Sequence, residues 1–199
     1  MNYPNGIKKI KHDVNTEKEL KHINHQNRGM TLESEINQSN EYYREIDKAY
    51  IYKKPTPIKI TKVDYPSRDK TVIKEAFFTI PSTTDYNGLY KGKYIDFEAK
   101  ETKSKTSFAL NNIHDHQITH LKRVIDHGGI SFIIIRFTTL NETYLLMTKD
   151  FIDYINNNER KSIPYDYIKE KGYLIKEKLS PRLDYLEILN NLEVIKWKN

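Results

Sequence analysis

The sequence predicts a mixed α/β fold, and three features predict it. A continuous apolar run, Ile130 to Phe137, has the length and β-branched composition of a buried strand. Just before it, residues 113–127 carry apolar side chains at helical spacing and are closed by Gly128-Gly129. From Tyr94 to Lys100 apolar and polar residues alternate, the period of a strand with one face on a core. Strands interleaved with helices in 199 residues fit one domain with a real core, not two.

The elements follow in chain order. Residues 1–27 mix Lys, His and Asn without periodicity and read as a flexible, locally basic arm, leaving 28–199 as a single domain. Thr31 is a suitable N-cap for a helix bearing Leu32, Ile36, Tyr43 and Ile46 on one stripe. Ala49 to Lys53 reads as a strand that stops at Lys54-Pro55-Thr56-Pro57. Two β-rich runs, Ile58 to Val63 and Val72 to Ile80, flank Tyr65-Pro66-Ser67-Arg68-Asp69-Lys70, a basic turn, and so predict a projecting hairpin over about 58–80. After the helix at 113–127 and the strand at 130–137 come a turn at Asn141 and a strand from Tyr144 to Thr148. Short helices over Asp150–Asn156, Pro164–Lys171 and Leu183–Leu192 complete the chain.

Composition narrows the function. A net charge of +6 suits a polyanionic partner without demanding one. The absence of cysteine excludes disulfides and thiolate metal sites and fits a reducing cytosol. No apolar run approaches the roughly 18–20 residues of a membrane span, and the N-terminus lacks an apolar signal core, so a soluble, cytoplasmic protein is expected.

The chemistry concentrates between Thr83 and Lys100. Strand parity turns Ile95, Phe97 and Ala99 one way and Asp96, Glu98 and Lys100 the other, with the Cα atoms of Glu98 and Lys100 roughly 6–7 Å apart. A glutamate can ligate Mg²⁺, and a lysine beside it can position water or offset charge on a phosphate. Glu-x-Lys recurs at Glu101/Lys103, of opposite parity at a strand end, and at Glu159/Lys161 in a polar loop; only Glu98/Lys100 has an apolar strand face behind it. A solvated strand face remains the plain alternative. Asp85, with Asn87-Gly88 and Gly92 as turn formers before the strand, can fold back beside Glu98. Two acids brought together call for a cation, although Asp-x-Asn-Gly is also ordinary turn chemistry. Gln117 edges toward the apolar stripe Ile113, Ile118, Leu121, Val124, Ile125; it is either a site residue or a helix-boundary glutamine at the sheet rim. His114, His116, His120 and His127 lack a His-Glu-x-x-His pattern and a third ligand in register, so solvent-facing histidines are expected rather than a zinc site.

Taken with longer strings, these residues resemble a known family. Asp85…Glu98-Ala99-Lys100 is similar to the PD-(D/E)xK nuclease core. Asn27-Arg28-Gly29-Met30, Lys53-Lys54-Pro55-Thr56-Pro57, Pro81 to Gly88, Tyr94 to Lys103, Asn112 to Gln117 and Pro181 to Tyr185 resemble the RecU family of Holliday-junction resolvases. Ala109 stands where that pattern has proline, and the arm departs from the family's Gly/Lys-rich start. The resemblance implies a restriction-endonuclease-like mixed sheet flanked by helices, with the hairpin as a protruding stalk that enters the junction. It implies a homodimer that uses Mg²⁺, one or two ions per subunit and replaceable by Mn²⁺, to cut four-way junction DNA in recombination and repair.

Recombinase and branch-migration proteins are the implied further partners. Thr83, Asp85, Glu98 and Gln117 are the implied metal-site residues and Lys100 the transition-state stabiliser; Asp96 shares their face but has no implied ligand role. Arg28, Lys53, Arg68 and Lys70 are expected to hold backbone phosphates. Two other readings stay open: a nuclease of the same core that cuts linear duplex, and a binding module whose site has lost activity.

Overall fold

The protein is described from a computed structural model, over residues 30–78 and 83–192. The chain divides into a segment, Met1–Thr31, and a compact unit, Leu32–Asn199. The expected arm over 1–27 and Arg28 lie outside the described residues.

Within the unit the elements run α1 (Leu32–Glu45), β1 (Tyr50–Lys53), β2 (Ile58–Asp64), β3 (Val72–Phe78), β4 (Tyr86–Tyr90), β5 (Lys93–Thr102), β6 (Ser107–Ala109), α2 (Asp115–Asp126), β7 (Ile130–Phe137), β8 (Glu142–Met147), α3 (Thr148–Asn157), β9 (Ser162–Pro164), α4 (Tyr165–Lys171), β10 (Tyr173–Leu174) and α5 (Tyr185–Asn191). Six strands form one mixed sheet in the order β1-β4-β5-β7-β8-β10. Its single parallel pair is β5 with β7, joined by the crossover through α2; the other neighbours are antiparallel.

Parity distributes the core over both faces. Ile95, Phe97, Phe132 and Ile134 pack with Leu32, Ile36 and Tyr43 of α1 and with Tyr185, Leu186 and Leu189 of α5. Ile133, Ile135 and Phe137 pack the other way, with Leu121 of α2, Phe151 and Tyr154 of α3 and Ile168 of α4. All eight residues of β7 are therefore buried, as its unbroken apolar run requires. Each such side chain contributes about 1.5–3 kcal/mol, enough to fix the backbone of β5 beside it.

Four expectations need correction. Asn87-Gly88 is not a turn but the middle of β4, where a Cβ on Gly88 would lie 2.0 Å from the Tyr50 carbonyl oxygen. Close approach of β1 selects that glycine. The hairpin turn lies at Lys91-Gly92, both at positive φ (47° and 70°), as a two-residue turn of the primed type requires. Ile46 falls beyond the end of α1 and is exposed rather than on its buried stripe. His120 is half-buried rather than solvent-facing, its Nε2 3.0 Å from Asp96 Oδ2. Three short strands, β6, β9 and β10, carry too few residues to show a period and were not anticipated.

β2 and β3 pair as a separate antiparallel ribbon with Ile58 opposite Phe78, and nearly every residue on it is exposed. Its tip is a single 3₁₀ turn, Arg68–Lys70. The expected hairpin thus exists through Phe78; Thr79 and Ile80 lie outside the described residues.

Candidate active site

β5 is a central strand, and its two faces are filled differently. On one, the Phe97 ring stacks between Tyr86 and Phe132 at centroid distances of 4.8 and 4.7 Å. On the other, Asp96 and Glu98 are both completely buried, so the plain alternative of a solvated strand face does not hold. A buried carboxylate must be paired or must shift its titration. The two acids resolve this in different ways.

Asp96 is saturated. Its Oδ2 accepts from Lys54 Nζ at 2.6 Å and Tyr94 OH at 2.7 Å, and lies 3.0 Å from His120 Nε2. Its Oδ1 accepts from Thr84 Oγ1. His120 reaches it because α2 packs against β5.

Glu98 is not saturated. Its Oε2 accepts from the Asp85 backbone N–H at 3.1 Å, and Asp85 Oδ2 in turn accepts from the Ala99 N–H at 3.2 Å, so the two acids interlock. Lys100 Nζ lies 2.7 Å from Glu98 Oε1 as its ion-pair partner, and Oε1 is otherwise a buried oxygen without a well-formed hydrogen bond. Burial first, then the neighbouring Asp85 charge, pushes the Glu98 carboxyl up from 4.5 to about 7, against a smaller downward pull from Lys100.

An orphaned buried oxygen beside a second carboxylate is the arrangement a hard cation relieves, so these residues fit a divalent metal ion. Among the described residues no group of three or more His, Asp or Glu is placed to hold one by itself. A site built on Asp85 and Glu98 suits Mg²⁺, which is commonly held by one or two carboxylates and keeps positions for water and substrate phosphate.

The other expected residues are placed as follows. Thr83 is exposed, and its Oγ1 accepts from Lys54 Nζ at 3.0 Å. Gln117 is buried in the first turn of α2, where its Oε1 accepts from the His114 N–H at 3.0 Å and so helps cap the helix. That bond accounts for a polar residue on the buried stripe. Lys53 is exposed and ion-paired with Glu33 at 2.5 Å. Lys70 is exposed at the ribbon tip, where the backbone of Arg68 also lies. A cavity of about 440 Å³ is lined by Thr83, His116, Thr119, His120 and Arg123.

Sequence reasoning passed over Lys54 as part of a strand break, and took His120 for surface. It placed Asp96 on the right face without seeing its partners. Parity was the one signal that pointed at Asp96.

Known proteins resemble this chain along most of its length. Residues 27–191 match the family described as Recombination protein U. A protein of Oceanobacillus iheyensis named Holliday junction resolvase RecU is 52% identical over 195 residues, spanning 96% of this chain and 99% of its own length. Proteins of the same name from Bacillus cereus and Bacillus anthracis are 51% identical over 193 residues, spanning 96% of both partners.

Proposed function

From the premise that this chain belongs to the Recombination protein U family, we propose that it is a Mg²⁺-dependent endonuclease that resolves four-way DNA junctions by paired, symmetric nicks in recombination and repair. The observation that carries the reading is the interlocked pair of half-buried Asp85 and fully buried Glu98, with one Glu98 oxygen lacking a hydrogen bond and Lys100 2.7 Å away.

In this reading Asp85 and Glu98 hold one or two Mg²⁺ ions, or Mn²⁺ in their place, with Thr83 and Gln117 contributing oxygens directly or through water. When bound, the cation supplies an acidified water and a counter-charge for the scissile phosphate. Glu98 must give up its proton for this, and the site around it favours the proton up to about pH 7. Lys100 sits at the partly exposed end of the polar face, where its compact ammonium can meet the phosphate as negative charge builds. The cavity lined by Thr83, His120 and Arg123 is where a strand of the junction would lie in this reading, with Arg123 available to a phosphate.

A homodimer presents two such sites to opposite strands of a symmetric junction. Supporting it, Ile58, Ile60, Val72, Ile73, Phe77 and Phe78 are all exposed on the ribbon, spread over both of its faces. The ribbon acts as the stalk, with Arg68 and Lys70 at its tip and Lys53 and Arg28 elsewhere holding phosphates. The protein works in the cytoplasm, where a cysteine-free chain has no disulfides to lose, alongside recombinase and branch-migration proteins.

The test is a labelled, mobile four-way junction incubated with the protein in Mg²⁺ or in EDTA. Paired nicks in Mg²⁺ alone, with linear duplex a poor competitor, are expected. Equal cutting of linear duplex, or no Mg²⁺-dependent nicking, contradicts the reading.

A further inference from the structure

Lys54 directly follows β1, and its side chain is 14% exposed. Its backbone N–H donates to the Asp85 carbonyl at 2.8 Å, extending the β1–β4 ladder one residue past Lys53 and Tyr86. Its Nζ then reaches along the segment that leads into the site: 3.0 Å to Thr83 Oγ1, 2.6 Å to Thr84 Oγ1 and 2.6 Å to Asp96 Oδ2, with His120 Nε2 at 3.4 Å. Three ammonium protons face three close oxygens, so the group has no donor left for a DNA phosphate. Lys53, its neighbour, differs: it is exposed and held only by Glu33.

One residue thus touches three consecutive residues, Thr83, Thr84 and Asp85, and ties the first two to β5 through Asp96. Among the described residues the Asp85 carboxylate accepts from the Ala99 N–H, while its backbone is fixed by the N–H bond to Glu98 on one side and by the carbonyl bond from Lys54 on the other. We infer that Lys54 is a positioning residue for the cation site: it clamps residues 83–85 against β5 so that the Asp85 carboxylate is held beside Glu98. The inference rests on the reading of Asp85 and Glu98 as cation ligands. It goes beyond that reading by assigning Lys54 to metal affinity rather than to DNA contact. Partners that orient metal ligands in other proteins are worth about 10–100-fold in metal affinity or activity.

The test measures Mn²⁺ binding by calorimetry without DNA, together with thermal unfolding, on wild type, Lys54→Met, Lys54→Arg and Asp85→Asn. In Lys54→Met, Mn²⁺ affinity should fall about 10–100-fold and the Mg²⁺ midpoint for nicking should rise in step. Junction affinity in EDTA should stay unchanged, and Lys54→Arg should recover part of the loss. A folded Lys54→Met that binds Mn²⁺ as wild type does overturns the inference, as does a loss confined to junction affinity. If Lys54→Met does not fold, Lys54→Met/Asp96→Asn, which removes both members of the buried ion pair, takes its place with the same readouts. Asp85→Asn separates the two levels of argument. If it binds Mn²⁺ normally, the ligand assignment fails; if it loses Mn²⁺ while Lys54→Met does not, only the role of Lys54 fails.

Discussion

Asp96 and Glu98 lie two residues apart on one face of one strand, equally buried, yet they are opposites. Asp96 is bonded by a lysine, a tyrosine and a threonine and approached by a histidine, whereas Glu98 keeps an oxygen faced by the Lys100 ammonium without a well-formed hydrogen bond, and a raised titration. A saturated buried charge holds structure together; an unsaturated one is held ready for something that arrives later. Burial alone did not separate these two acids. Counting their partners did.

The contrast can be broken by mutation, and the largest effect belongs to the unsaturated acid. Glu98→Gln or Asp85→Asn should lower junction nicking by about 10³-fold or more while junction binding in EDTA persists. A quantitative nicking time course beside a gel-shift titration measures both. Lys100→Ala should cost about 10²-fold in the nicking rate at saturating junction, with binding retained; lost binding instead would move Lys100 out of the chemical step.

Stability should sharpen the same contrast, with opposite signs. Asp96→Asn removes one partner of a buried ion pair and should destabilise by about 3 kcal/mol, read from the denaturant midpoint. Glu98 behaves in reverse. Its folded carboxyl titrates at about 7 against an ordinary 4.5, so folding favours its protonated form. The stability this contributes is complete below about 4.5 and is lost as pH rises through about 7. Metal-free Glu98→Gln should therefore overtake wild type in stability above that pH, and guanidinium unfolding at pH 6 and pH 8 tests it. The smallest effect is expected at the cavity wall. Arg123→Ala should weaken junction binding a few-fold and lower the salt slope by about one, since it removes one phosphate contact.

Much of this was legible in the chain. The alternation from Tyr94 to Lys100 placed Asp96, Glu98 and Lys100 on one face, because a strand's period is short and local. The same parity put Glu101 on the opposite face, where its carboxylate accepts from the Leu32 N–H at the start of α1. Tyr94 shares the face of Asp96 by the same parity, but the distant partners of that acid were not legible: Lys54 stands 42 residues before it and His120 24 after, and no periodicity links such distances. Asn87-Gly88 misled for a related reason. Asn-Gly is a strong local hairpin signal, but Gly88 answers to the backbone of β1, a tertiary demand that local propensity does not carry. Likewise Gln117 has its hydrogen-bond partner three residues away in the turn before its own helix, so its burial alone did not require a metal.

The most direct test of the difference between the two acids is a Mn²⁺ calorimetric titration of wild type and Glu98→Gln at pH 6 and pH 8. Wild type should bind saturably and more tightly at pH 8, as the Glu98 proton leaves, while Glu98→Gln shows no saturable heat at either pH. Equal Mn²⁺ binding by the two proteins would contradict the account, because the Glu98 carboxylate would then not be where the cation sits.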